Sequence, residues 1–325
     1  AGMAEAGLNP ERPVPGFGRG VFRWCVTLLL LGTVLVFVDI DKLAQRLVMV
    51  PPTIILAVFV VSLIQIALSA WRWRYTANRL GVVMGFGFAF REYYLAGFLN
   101  QVLPGGVMGD VNRAWRHSRS AKRLQQLAIV HAVVLERLSG QLVLVPVVLI
   151  AVSGLWWTGQ LNSQVGDAGV SLNVGYWLIL PALAVLGVLL VSMTGFGARF
   201  RRYVRRLSGD VRRAFLGCRN ALVQVGTSVL VFLTYMAVFM LMATGMDLFA
   251  DGTPWLLVVA LCPLLLLAMV VPLTVSGWGV REGVAAILWP LVGLPAEQGV
   301  ALSVGYGAAV FLVSLPGALA LLFRR

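Results

Sequence analysis

The sequence predicts an all-α fold: a polytopic helical membrane protein with about seven spans and two broken, re-entrant segments. Apolar residues make up 59% of the 325-residue chain and charged residues only 12%. With a mean hydropathy of +0.88, this is more apolar surface than one soluble core hides. Those residues also fall into runs long enough to cross about 30 Å of hydrocarbon as helix. Nothing alternates apolar and polar residues over ten positions, as the strands of a transmembrane barrel do.

Ala1 and Gly2 precede Met3 and read as a cloning remnant; residues 1–20 form a cytoplasmic tail and residues 21–325 a single transmembrane domain. The first apolar run, 22–40, follows Arg19 and Arg23 and lacks a small-residue cleavage site, so it reads as a retained signal anchor. Further spans are expected at 50–71, 124–153, 176–193, 221–243, 254–273 and 298–322.

The net charge of +13 is informative through its placement. Arg72, Arg74 and Arg79 follow the second span. Arg113, Arg116, Arg119, Lys122 and Arg123 fill a loop, and eight arginines crowd 199–219 against the lone Asp210. These segments, with Arg12, Arg19 and Arg23, are cytoplasmic by the positive-inside rule. The loops 154–175 and 244–253 carry only Asp167, Asp247 and Asp251 and belong outside. The arginine-rich stretch is an amphipathic segment facing anionic lipids. Since the membrane explains the charge, no nucleic-acid partner is expected.

Arg72–Arg91 and Arg113–Arg123 both read as cytoplasmic, yet "YYLAGFLNQVLPGGVMG" between them is too short to cross and return as two full helices. It is expected to be a re-entrant hairpin. Broken backbone at membrane depth is tolerated only where protein or a water-filled cavity satisfies its polar groups. A second broken stretch, "VPLTVSGWGVREG", repeats the frame P-x4-G-x3-R: Pro104, Gly109 and Arg113, then Pro272, Gly277 and Arg281. Paired broken segments point to a transporter site at a repeat interface. If 254–294 is a hairpin entering from outside, the repeats are inverted and Arg324 and Arg325 end inside. If 254–273 crosses fully, the C-terminus lies outside, against the charge rule.

Charges at bilayer depth mark sites by default. Glu136 and Arg137 lie inside an apolar run, and neighbours on a helix point about 100° apart, so each is expected to need another partner. Asp110, Arg113, Arg281 and Glu282 are the candidates, with Arg113, Arg281 and Glu136 expected at one cavity. His131 reads as a hydrogen-bonded core residue, His117 as part of a basic loop, and Trp71 and Trp73 as an interfacial belt. Cys25, Cys218 and Cys262 fit no C-x-x-C pattern and read as core residues. No H-E-x-x-H, G-x-S-x-G, S-x-x-K or P-loop occurs. Neither catalysis nor a metal or other cofactor is therefore expected.

With these residues in view, the chain resembles the flippase-like transmembrane domain of lysylphosphatidylglycerol synthases and its free-standing relatives. The carriers are "REYYLAGFLNQVLPGGVMGDVNRAWR" at 91–116, "VVLERLSG" at 133–140, and "VPLTVSGWGVREG" with the following "LVGLP". Met108 departs from the small residue expected there. The chain is expected to be a free-standing member without the lysyl-transferring soluble domain, so the resemblance implies lipid translocation and not aminoacylation.

On this reading a headgroup enters a polar cavity between the two broken segments while its chains stay in hydrocarbon. Arg113, Arg137 and Arg281 would bind phosphate bidentately. Asn100, Gln101 and Ser276 would hydrogen-bond. Pro104, Pro272, Gly105, Gly106, Gly109, Gly277 and Gly279 would shape the backbone, and Asp110, Glu136 and Glu282 would hold the arginines. The expected setting is the bacterial inner membrane, within the cell envelope. A lipid-modifying enzyme or accessory factor, and a small-solute or ion transporter, are the alternatives, and homo-oligomerisation stays open.

Overall fold

The computed structural model describes residues 17–37, 40–103, 106–119, 125–161, 198–215, 217–250, 252–270 and 274–322. The expected span 176–193, together with Pro104, Gly105, Lys122, Arg123, Asp167, Asp251, Pro272, Arg324 and Arg325, lies outside these described residues. Among the described residues there are twelve α-helices and no extended strand.

Helix α1 (Phe17–Phe37) is followed by the short α2 (Ile40–Val48). Helix α3 (Pro52–Arg79) opens on a proline at its first position, where the missing N–H removes no helical bond. It stops before Gly81, whose φ is +80°. At 28 residues it measures about 42 Å, and it runs past the expected end at 71. This corrects the reading of Arg72 and Trp73 as flanking residues: both are buried inside the bundle. Helices α6 (Gln126–Trp157), α8 (Cys218–Gly245) and α11 (Ala296–Ser314) are also long and apolar enough to span. After α11 the chain turns at Leu315 into α12 (Pro316–Leu322), which packs on α4. The arginine-rich stretch forms α7 (Ala198–Phe215).

Two helical hairpins interrupt this set. The first consists of α4 (Phe86–Val102) and α5 (Met108–Arg119), so the hairpin starts earlier and ends later than the quoted apolar run. The arginines read as a cytoplasmic loop, Arg113, Arg116 and Arg119, lie on α5, and His117 lies there with its ring against Trp73 and Phe88. Gly109 lets the two helices touch, because a Cβ there would collide with the carbonyl oxygen of Ala96. Met108 is exposed at the start of α5, so its bulk meets no tight packing.

The second hairpin consists of α9 (Trp255–Ala268) and α10 (Val280–Leu291). At 14 residues, α9 measures about 21 Å, short of the bilayer's ~30 Å. The stretch 254–273 is therefore no single span. Helix α1 braces this break: the Val275 N–H donates to Thr27 Oγ1 at 3.0 Å. Gly279, at φ +84°, sits where a Cβ would lie 2.6 Å from Leu30 Cβ. The shared frame does not give matching backbones, since Gly109 is helical while Gly277 takes φ +79° in the break.

Hydrophobic packing fixes both hairpins. A large cluster joins α6, α8, α9, α10 and α11, with Phe239 and Tyr306 stacked at 3.9 Å between centroids. A smaller one, built from Trp73, Ala77, Ala89, Ala114, Ile129 and Ala132, sits beneath the first hairpin. Its alanines permit the close helix approach that membrane packing favours. Cys262 is buried as expected, but Cys25 and Cys218 are exposed, because they face outward at a packed helix's free side and at a helix start.

Candidate functional site

The two breaks meet. Ser276 Oγ donates to Gln101 Oε1 at 2.8 Å, and Gly106, at φ +60°, lies against Ser276, whose Cα would be 3.9 Å from a Cβ there. Beside this contact a cavity of about 310 Å³ opens between α3, α4, α6, α8, α9 and α11. Small-molecule sites begin at about this size. Its wall carries Arg72, Tyr93, Asn100, Gln101, Asp110, Glu136 and Arg137, with uncharged Ser62, Gln65, Ser69, Gln141, Ser228 and Tyr235.

The charged groups of this wall, with Arg113 behind them, form an alternating chain. Arg72 donates to Glu136 Oε1 at 2.6 Å and to Ser228 Oγ at 2.8 Å. Arg113 donates to Glu136 Oε2 at 3.4 Å and to Asp110 Oδ1 at 2.8 Å. Arg137 then pairs with Asp110 Oδ2, which also accepts from Asn100 at 2.9 Å. Asn100 in turn accepts the Gly109 N–H at 2.7 Å, tying α4 to the start of α5. The order is cation, anion, cation, anion, cation. Glu136 and Arg137, adjacent in sequence, thus find different partners, as the helical geometry requires.

Exposure sets Arg137 apart from the buried Arg72 and Arg113. The Arg113 side chain is 0% exposed, its guanidinium 4.4 Å from the Trp73 ring centroid and 4.5 Å from that of Tyr93. Such stacking adds attraction in a desolvated site. The Arg137 side chain, in contrast, is 44% exposed and borders the cavity.

A second cluster lies at the start of α10. Arg281 donates to Glu282 Oε1 at 2.8 Å and to Ser303 Oγ at 2.7 Å, between Trp278 and Tyr306. Glu282 Oε2 accepts the Gly279 N–H at 2.7 Å. These sequence neighbours pair because Glu282 folds back over the helix N-terminus, where a carboxylate is favoured.

Of the residues singled out in the sequence, Asn100, Gln101, Gly106, Asp110, Glu136, Arg137 and Ser276 line the cavity. Arg113 lies one layer behind them, and Arg281, Glu282, Gly109, Gly277 and Gly279 do not line it. Arg113 and Arg281, expected at one cavity with Glu136, both stand behind its wall: Arg113 binds Glu136 Oε2 at 3.4 Å and Arg281 lies against the lining residues Met269 and Tyr306.

Arg72 was missed, together with the polar face it belongs to. Ser62, Gln65, Ser69, Arg72 and Thr76 recur at intervals of three and four residues, so they share one side of α3. That face meets Gln224, Ser228 and Tyr235 of α8: Gln224 donates to Thr76 Oγ1 at 2.8 Å. The spacing was the available signal. His131, fully buried in α6, bonds Asp210 of α7 at 2.6 Å, which docks the arginine-rich helix on the bundle.

A family model described as Lysylphosphatidylglycerol synthase TM region matches residues 21–317, a stretch containing both hairpins. No curated protein and no solved structure matches the chain.

Proposed function

From the premise that this chain belongs to the lysylphosphatidylglycerol synthase transmembrane-region family, we propose that it is a lipid translocator passing a phosphate-bearing headgroup through the cavity between its two broken hairpins. The single observation that carries this reading is the alternating charge chain inside the helical bundle, ending on the half-exposed Arg137 beside the cavity. Ion pairs that only lock helices have no need of a polar cavity beside them.

The residues divide the work. Arg137 offers its guanidinium fork to phosphate, exchanging the Asp110 carboxylate for a lipid oxygen. Arg72 holds Glu136, and Arg113 and Arg281 fasten the two hairpins against aromatic rings. Asn100, Gln101, Ser276 and the polar face of α3 hydrogen-bond the headgroup while the acyl chains remain in hydrocarbon. The protein acts without catalysis, in a bacterial cytoplasmic membrane, with α7 on the cytoplasmic surface against anionic lipids. Driving force comes from a gradient or from consumption of the lipid on the far side.

Reconstitution into vesicles containing an acyl-labelled phospholipid tests the reading. Faster exchange of chemically unchanged lipid is expected, reduced about tenfold or more by Arg137→Ala and less by Arg137→Lys. Solute uptake without lipid movement, or recovery of a chemically altered lipid, refutes it.

A further inference from the structure

We infer that the cavity has a second binding point for its lipid: the Arg281 guanidinium, behind Met269, takes an ester carbonyl oxygen of the lipid's glycerol backbone while Arg137 takes the phosphate. This rests on the translocator reading above and adds the linkage of the lipid's chains to it.

Arg281 is a rigid donor with one weak partner. It is buried between Trp278 and Tyr306, and its Nε and Nη2 are engaged by Ser303 at 2.7 Å and Glu282 at 2.8 Å. Nη1 instead points at Met269 Sδ, 3.6 Å away. A thioether is a weak acceptor, where a buried guanidinium is ordinarily met by oxygen. Met269 lines the cavity while Arg281 does not, so this sulfur stands between the donor and the open space. An unbranched methionine changes rotamer at little cost, and a lipid oxygen in its place makes a charge-assisted hydrogen bond.

Charge decides which kind of oxygen fits. Glu282 already compensates Arg281, so a further full negative charge at Nη1 would lie beside that carboxylate, whereas a neutral carbonyl oxygen meets only the donor. Position decides which carbonyl. Along α9 and the break that follows it, the wall passes from Leu266 through Met269 to Ser276. The break lies against Met269 itself, since a Cβ on Gly277 would stand 3.1 Å from Met269 Cγ. Ser276 bonds Gln101 and abuts Gly106, whose carbonyl oxygen accepts from Arg137 at 3.5 Å. The order along the wall is thus Arg137, the break, Met269 with Arg281 behind it, and the apolar Leu266. A phospholipid presents phosphate, glycerol esters and acyl chains in the same order.

The test compares two chain-labelled phosphatidylglycerols of equal chain length, one diacyl and one dialkyl, which differ only in the ester carbonyl oxygens. Retention by the detergent-solubilised full chain reads binding, and exchange in phosphatidylcholine vesicles reads movement. The diacyl lipid is expected to bind about tenfold tighter than the dialkyl one. Met269→Ala removes the side chain that has to move, and should tighten diacyl binding severalfold while leaving dialkyl binding unchanged. Arg281→Gln combined with Glu282→Gln keeps the pair neutral but ends the charged donor, and should cut the preference to about twofold or less. Met269→Ala carries the decision alone where that double variant fails to fold.

Equal binding of the two lipids by the wild type overturns the inference, as does a Met269→Ala change that shifts both lipids alike or a folded double variant that keeps the full preference. Diacyl preference without movement of either lipid leaves the second binding point standing and removes the translocator reading. Movement of both lipids at equal affinity does the reverse.

Discussion

At the residue scale, Glu136 is the pivot, because it accepts from Arg72, Arg113 and Tyr93 at once. Removing one partner of a buried charge network leaves the others uncompensated, which costs about 3–5 kcal/mol. Glu136→Gln is therefore expected to lower the thermal midpoint of the solubilised protein sharply, and an unchanged midpoint would show that the network contributes little to folding. His117 gives a pH signature. Burial between Trp73 and Phe88 lowers its pKa below the ordinary value of 6.5. The folded protein thus prefers the neutral ring while the unfolded chain binds the proton more readily. The contribution is complete above about pH 6.5 and is lost as pH falls toward the lowered folded value. Acidification from pH 7.5 to 5 should destabilise the wild type more than His117→Phe in parallel thermal melts, and equal loss in the two would show that the ring's burial does not couple to folding.

At the element scale, the hairpins depend on close backbone approach more than on helix propensity. Gly109→Ala drives a Cβ into the Ala96 carbonyl and should force α4 and α5 apart, whereas Gly87→Ala on the same hairpin meets nothing within 4 Å. The expected contrast is loss of folded, monodisperse protein for the first and none for the second. Equal yields would mean that the α4–α5 contact yields easily. The position of this hairpin was readable from "LPGGVMG" flanked by basic residues, because breakers inside an apolar run are local information. Its true limits, Phe86 and Arg119, were not, because the basic residues used to bound it belong partly to its own helices.

For the whole molecule, the arginines of the docked helix α7 set the orientation expected of the bundle, with that helix on the cytoplasmic side. Its exposed Ser208 is a suitable reporter once the exposed Cys25 and Cys218 are replaced, since Cys262 is buried. A cysteine at position 208 should resist an impermeant reagent added outside intact cells and react after permeabilisation. Labelling from outside would place the arginine-rich face on the other side, against the positive-inside rule.

The sequence by itself determined what depends on composition and short spacing: a helical membrane protein, breaks at two places, and charged residues too deep to be decorative. It marked Asp110, Glu136 and Arg137 as needing partners, since the cost of a lone buried charge is independent of where its partner comes from. Only the tertiary structure decided who those partners are. Arg72 stands 64 positions from Glu136, and Gln101 stands 175 from Ser276, separations over which no local pattern carries information. Packing also sorted like residues into unlike roles. Arg113 is closed in by Trp73 and Tyr93 and Arg281 by Trp278 and Tyr306, while Arg137 faces the cavity. Whether a guanidinium is buried or accessible depends on which rings from distant helices come to rest against it.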